Sequence, residues 1–95
     1  MTELELDKIT VKTMLEVEVR FFARARELAG SANATLSLPA GATVEAAVQR
    51  LAVEFPRLGP FLKSCRVALN EEFAGGAEPL AEGSVLAVIP PVSGG

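Results

Sequence analysis

From Leu15 to Phe22 the chain reads LEVEVRFF, with apolar side chains at every odd position and charges at Glu16, Glu18 and Arg20. That period of two belongs to a strand with one buried face, so Leu15, Val17, Val19 and Phe21 are predicted to face a core. Good helix formers follow from Ala23 to Ala29 and stop at Gly30, a suitable C′ residue, which predicts a short helix. Ala34-Thr35-Leu36-Ser37-Leu38 alternates again and ends at Pro39-Ala40-Gly41, which suits a second strand paired to the first. The spacing then changes. Val44, Ala47, Val48, Leu51, Ala52 and Phe55 recur at i, i+3, i+4, i+7, i+8 and i+11, predicting a helix over Val44–Phe55 with one apolar stripe. Thr43 stands at its N-cap, Glu45 lies near its positive end, and Pro56 stops it.

Gly59 and Pro60 punctuate the stretch from Arg57 to Ser64, where Leu58, Phe61 and Leu62 offer apolar anchors, so a turn or short 3₁₀ piece is expected. Arg66 to Asn70 reads as a short strand running into a turn at Asn70-Glu71-Glu72, with Phe73-Ala74 pairing back. Leu80 to Gly83 turns the chain into Val85–Ile89, which is apolar throughout, as a central strand covered on both faces would be. The order β, short α, β, α, β, short β, β is α+β: a mixed sheet with one main helix packed across it. Residues 15–89 form the predicted domain. Residues 1–14 are an extension in which Leu4-Glu5-Leu6 and Ile9–Lys12 alternate weakly, read either as an edge strand or as a mobile leader, and Met14 is a candidate start of translation.

Composition narrows the chemistry. Ninety-five residues bury one core without needing metal or disulfide staples. The chain has no His, which removes the usual general base near neutral pH and the commonest metal ligand. Twelve acidic and 9 basic residues leave a net charge of −3 with no dense basic run, so nucleic acid is excluded as an expected partner. Arg20, Arg24 and Arg26 are diluted by Glu18 and Glu27 and read as a solvated face. Cys65 stands alone and predicts neither a disulfide nor a thiolate metal site; Lys63 and Arg66 beside it would lower a thiol pKa, but a small buried filler is the favoured reading. A reducing, cytoplasmic setting with no membrane contact follows as the expectation. Glu71-Glu72 on a turn point apart, and Gly75-Gly76 lacks the spacing and lysine of a phosphate loop.

What remains is the end of the chain, Pro90-Pro91-Val92-Ser93-Gly94-Gly95, placed directly after the last strand. The prolines end the strand and favour an extended exit. The five residues from Pro91 reach roughly 16 Å at about 3.3 Å each, far enough to enter a partner's active site while the domain stays outside. Two residues without Cβ pass a narrow channel and adopt backbone angles closed to others. The Gly95 carboxylate therefore reads as a reactive end on a flexible tail, with Ser93 as a small spacer or a hydrogen-bonding group in the channel.

Phe21-Phe22-Ala23-x-x-Arg26-Glu27-Leu28-x-Gly30, the Thr43-Val44-Glu45 helix start, Val67-Ala68-Leu69-Asn70, Pro79-Leu80-x-Glu82-Gly83 and the tail together resemble the MoaD/ThiS group of ubiquitin-like sulfur carriers, most closely its molybdopterin synthase small-subunit branch. The resemblance covers about residues 15–95 and implies a β-grasp fold. It implies further that the Gly95 carboxylate is adenylated by an E1-like (MoeB-type) enzyme that uses ATP and Mg²⁺, neither being held stably by this chain. A persulfide sulfur donor then converts it to a thiocarboxylate. The tail enters the large synthase subunit (MoaE-type, in a heterotetramer) and gives sulfur to cyclic pyranopterin monophosphate, so the chain is a co-substrate and not the catalyst. The positions matching the family's apolar docking patch are Phe22, Phe73 and Ile89, and grouped exposed apolar residues of this kind mark an interface.

Related carriers serve thiamin thiazole synthesis or tRNA thiolation, and in some lineages conjugate to lysines; a β-grasp module whose tail never reacts is the alternative from another class. Gly95→Ala is expected to slow adenylation greatly while leaving the fold unchanged, because its Cβ meets the channel wall. Pyrophosphate release with the activating enzyme measures this, and an unaltered rate counts against the channel argument.

Overall fold

The computed structural model describes residues 13–91. Its elements are β1 (Met14–Phe21), α1 (Ala23–Ala29), β2 (Asn33–Pro39), α2 (Val44–Glu54), a 3₁₀ helix (Gly59–Ser64), β3 (Arg66–Leu69), β4 (Glu72–Phe73) and β5 (Val85–Ile89). The five strands form one sheet in the order β2-β1-β5-β3-β4. β1 pairs antiparallel with β2 but parallel with β5, and β3 pairs antiparallel with both β5 and β4. This is the expected mixed sheet. The weakly alternating segments near residues 4–6 and 9–12 lie outside the described residues.

The period of two in β1 does what it predicts. Val17, Val19 and Phe21 are buried, with Leu15 half-buried behind them, and Glu16, Glu18 and Arg20 are exposed. Leu36 and Leu38 of β2 join the same core, as do Leu86 and Val88 of β5. α2 lays Val44, Ala47 and Leu51 against that surface. Phe21 meets Phe55 edge-on, with ring centroids 5.3 Å apart and planes at 71°, so the end of the helix is tied to the end of β1. Leu58 and Leu62 close the core from the 3₁₀ segment.

The N-terminus of α2 accounts for Gly76. The first four N–H groups of a helix lack intrahelical partners. Here Val44 N–H donates to the Glu78 carbonyl at 2.9 Å and Glu45 N–H to the Gly76 carbonyl at 3.0 Å, while Ala47 N–H makes the first intrahelical bond, to the Thr43 carbonyl at 3.1 Å. The Thr43 hydroxyl accepts from Ala46 N–H at 3.4 Å, as its N-cap position predicts. The loop between β4 and β5 is therefore a backbone cap. A Cβ on Gly76 would stand 3.2 Å from the Glu45 Cβ, so this approach favours glycine.

Three details differ from the sequence expectation. α2 ends at Glu54, with Phe55 as its cap. The turn after β3 takes two residues, not three: Asn70 (φ 49°) and Glu71 (φ 74°) both lie in the left-handed region, and Glu72 already pairs with Leu69. Two consecutive positive φ values make the tight turn whose twist matches a hairpin. β5 is central but is not covered on both faces. Leu86 and Val88 are buried while Val85, Ala87 and Ile89 are half-buried, because α2 crosses only one side of the sheet.

Asn70 is suited to its position. Its side-chain oxygen accepts from Val85 N–H at 2.9 Å and its own N–H donates to the Val85 carbonyl at 2.8 Å, pinning the hairpin to the start of β5. Glu71 has no such compensation, and its positive φ costs roughly 1–2 kcal/mol for a residue with a Cβ. Glu71→Gly is expected to raise stability by about 0.5–1 kcal/mol after the added unfolded-state entropy is deducted. Urea unfolding measures it, and a lower midpoint would refute the strain argument.

Candidate functional site

β1 and β5 are parallel, so their C-terminal ends lie at the same end of the sheet. β3 runs the other way and begins there, with Arg66 opposite Ile89. Three features therefore meet at one place: Phe22 leaving β1, Pro90 leaving β5, and Arg66 entering β3. Pro90 is half-buried and Pro91 exposed, so the root of the tail stands at this end of the sheet. Val92, Ser93, Gly94 and Gly95 lie outside the described residues.

The outward face of the sheet can be followed row by row, since paired residues share a face. One row runs Phe73, Ala68, Ala87, Arg20 across β4, β3, β5 and β1. The next holds Arg66 and Ile89, with Phe22 one residue beyond the Phe21–Val88 pair. Phe22, Phe73 and Ile89 all lie on the face away from α2. Phe22 is 48% exposed and Phe73 is 58% exposed, while Ile89 is half-buried among its neighbours. The two phenylalanines are separated by three strand spacings of roughly 4.8 Å each and by one row along the strands. Ala68 and Ala87 between them keep the floor low.

Arg66 adds a charge to this surface. Its guanidinium carbon lies 3.7 Å from the Phe73 ring centroid, a cation–π stack. Period-two counting from Ile89 could have found Arg66 and Ala68 once the β3–β5 register was known, but a single sequence does not state that register. An open groove of about 810 Å³ lies beside the stack, bordered by Val48, Leu62, Cys65, Arg66 and Phe73 and reaching Glu45. Cys65 does not behave as an activated thiol. Its Sγ donates to the Phe61 carbonyl at 3.5 Å, and burial pushes the thiol pKa up rather than down, which favours the filler reading over the basic-neighbour one.

Two of the three arginines nearest to a cluster on the sequence are drawn off by neighbours. Arg20 pairs with Glu18 at 2.6 Å and Arg24 with Glu27 at 2.9 Å, both exposed, which makes the region a solvated face. Among the described residues no group of three or more His, Cys, Asp or Glu is placed to hold a metal. No described helix is long and apolar enough to cross a membrane. The described surface thus groups Phe22, Arg66, Phe73 and Ile89 on one face of the sheet, beside the root of the tail at Pro90.

A mixed sheet gripping one helix, with the last strand central and an extension leaving its end, defines a ubiquitin-like β-grasp protein. Solved structures agree: H. volcanii small archaeal modifier protein 1 superposes with a TM-score of 0.78 at 30% identity, covering 82% of this chain and 99% of that one. The complex of subunits 1 and 2 of molybdopterin-converting factor from Helicobacter pylori gives a TM-score of 0.63 at 28% identity, over 85% of this chain and 100% of the matched one. The ThiS family model matches residues 19–95, and the chain belongs to that family. The molybdopterin synthase sulfur carrier subunit of Arabidopsis thaliana is 40% identical over 95 residues, spanning 99% of this chain and 95% of the relative.

Phe73→Arg is expected to move stability by no more than about 0.5 kcal/mol, because the ring is mostly outside the core. The same change should weaken binding to the large-subunit partner at least tenfold by placing a second cation beside Arg66. Thermal melting and titration calorimetry read the two effects, and a collapse in melting temperature would place Phe73 in the core.

Proposed function

We propose that this chain is the sulfur-carrier subunit of a molybdopterin synthase, with Gly95 as its reactive residue. The observation that carries the reading is the 40% identity to the Arabidopsis sulfur carrier over 99% of a chain that ends in Gly94-Gly95. The carboxylate is a poor electrophile until one oxygen becomes a leaving group. An E1-like enzyme supplies ATP and Mg²⁺ and forms the acyl adenylate, releasing pyrophosphate. Attack by a donor persulfide expels AMP, and a donor thiol then cleaves the S–S bond, leaving a thiocarboxylate and an oxidised donor. Sulfur passes to cyclic pyranopterin monophosphate in the large subunit, and water restores the Gly95 carboxylate.

In this reading Phe22, Phe73 and Ile89 dock on the large subunit while Pro90 and Pro91 direct Val92, Ser93, Gly94 and Gly95 into its active site. The H. pylori complex of subunits 1 and 2 supports a partner of that kind. The chain's role is to carry the acyl group; the partners catalyse. A second reading, transfer of the same activated acyl group to a lysine amine with loss of AMP, draws on the likeness to the archaeal modifier.

Intact-mass analysis after incubation with the activating enzyme, ATP and a persulfide source separates these outcomes. An oxygen-to-sulfur increase mapped to Gly95 is expected. Isopeptide-linked adducts would favour the modifier reading, and an unmodified terminus would leave only an interaction module. Co-purification with the large subunit, rather than with a thiazole synthase, distinguishes the molybdopterin branch from the thiamin one.

A further inference from the structure

Arg66 stands between two members of the docking face, with Ile89 directly across β3–β5 and the Phe73 ring stacked on its guanidinium at 3.7 Å. The side chain is exposed. Among the described residues the ion pairs join Arg20 to Glu18, Arg24 to Glu27 and Arg50 to Glu54, and none involves Arg66. The ring occupies one flat face of the guanidinium and leaves its N–H edge open, where the five donors lie.

Position makes this charge consequential. Ile89 is followed by Pro90, so a partner that holds the tail from its root and covers Ile89 and Phe73 also closes over Arg66. Desolvating an arginine against an apolar surface is costly without an acceptor. A carboxylate approaching in the plane of the guanidinium accepts two N–H bonds and leaves the stacked face undisturbed. A group approaching the stacked face would have to displace Phe73. The stack thus sets both the position of the ring and the direction from which a counter-charge arrives.

We infer that Arg66 is a specificity-determining residue of the docking face, which positions Phe73 and pairs with a carboxylate on the large-subunit partner. This rests on the docking reading given above. Among partners with an equally apolar surface, it selects one carrying an acidic side chain near the entrance to its tail channel. Lysine in its place keeps the charge but loses the planar fork.

The test uses the full chain and the large subunit from the same organism, titrated at low and moderate salt. Arg66→Met is expected to weaken binding at least tenfold and to flatten the salt dependence, with unchanged melting; Arg66→Lys should recover part of both. The Arg66→Lys variant also supports zero-length carbodiimide coupling. A cross-link mapped by mass spectrometry from position 66 to an Asp or Glu of the large subunit is the expected product. Wild-type-like affinity and salt dependence in Arg66→Met, with no cross-link from position 66, would overturn the inference while leaving the docking reading in place. If the wild-type chain itself fails to bind the large subunit, both fall.

Discussion

The parallel seam between the first and last strands is the constraint on which the molecule depends. Val19 pairs with Leu86 and Phe21 with Val88, and all four side chains are buried. A parallel pair cannot be joined by a tight turn. Everything between β1 and β5 is therefore the crossover, and it includes the helix that covers the core. The same seam sends both strands out at one end, and β3, antiparallel to β5, begins there. Phe22, Arg66 and Pro90 share a neighbourhood because of strand direction, although they are far apart in sequence.

Local structure was legible where one chemical period governs one element. β1 and β2 follow from alternation, α2 from its stripe and Thr43 cap, and α1 from its end at Gly30, which takes φ 74°. Elements governed by distant partners were less legible. The apolar run Val85–Ile89 suggests two covered faces, yet the outer positions are only half-buried, sheltered by neighbouring side chains on the same face. Gly75-Gly76 lacks the signature of a phosphate loop, and nothing local in the sequence indicates that this loop caps α2. The resemblance singled out Phe22, Phe73 and Ile89, and the strand register places all three on one outward sheet face, but the Arg66–Phe73 stack needed the β3–β4 register.

The absence of histidine and the character of the lone cysteine suit a chain whose chemistry is performed on it. Cys65 is bonded to a carbonyl, and its thiol is held toward the protonated form. In the proposed cycle, a nucleophilic thiolate here would compete with the sulfur donor for the activated acyl group. A protonated thiol avoids that. The rigid part instead supplies a defined face and a fixed root for the tail, so a partner that binds the face receives the tail from a known point.

Period-two alternation also separates stability from recognition. The inward residues of each strand make the core, and the outward ones are left at the surface, so a substitution on one face leaves the other largely alone. Phe73 and Phe22 can be exposed because Val67, Leu69, Phe21 and Val88 on the opposite face supply the packing. Charge placed on the outer face is then free to serve discrimination at little cost to folding. Arg66 fits that division: its stem and ring contact lie on the sheet, its charge faces outward, and the apolar neighbours that surround it make an unmatched partner expensive. Recognition in such a fold changes residue by residue on one surface while the seam beneath remains the same.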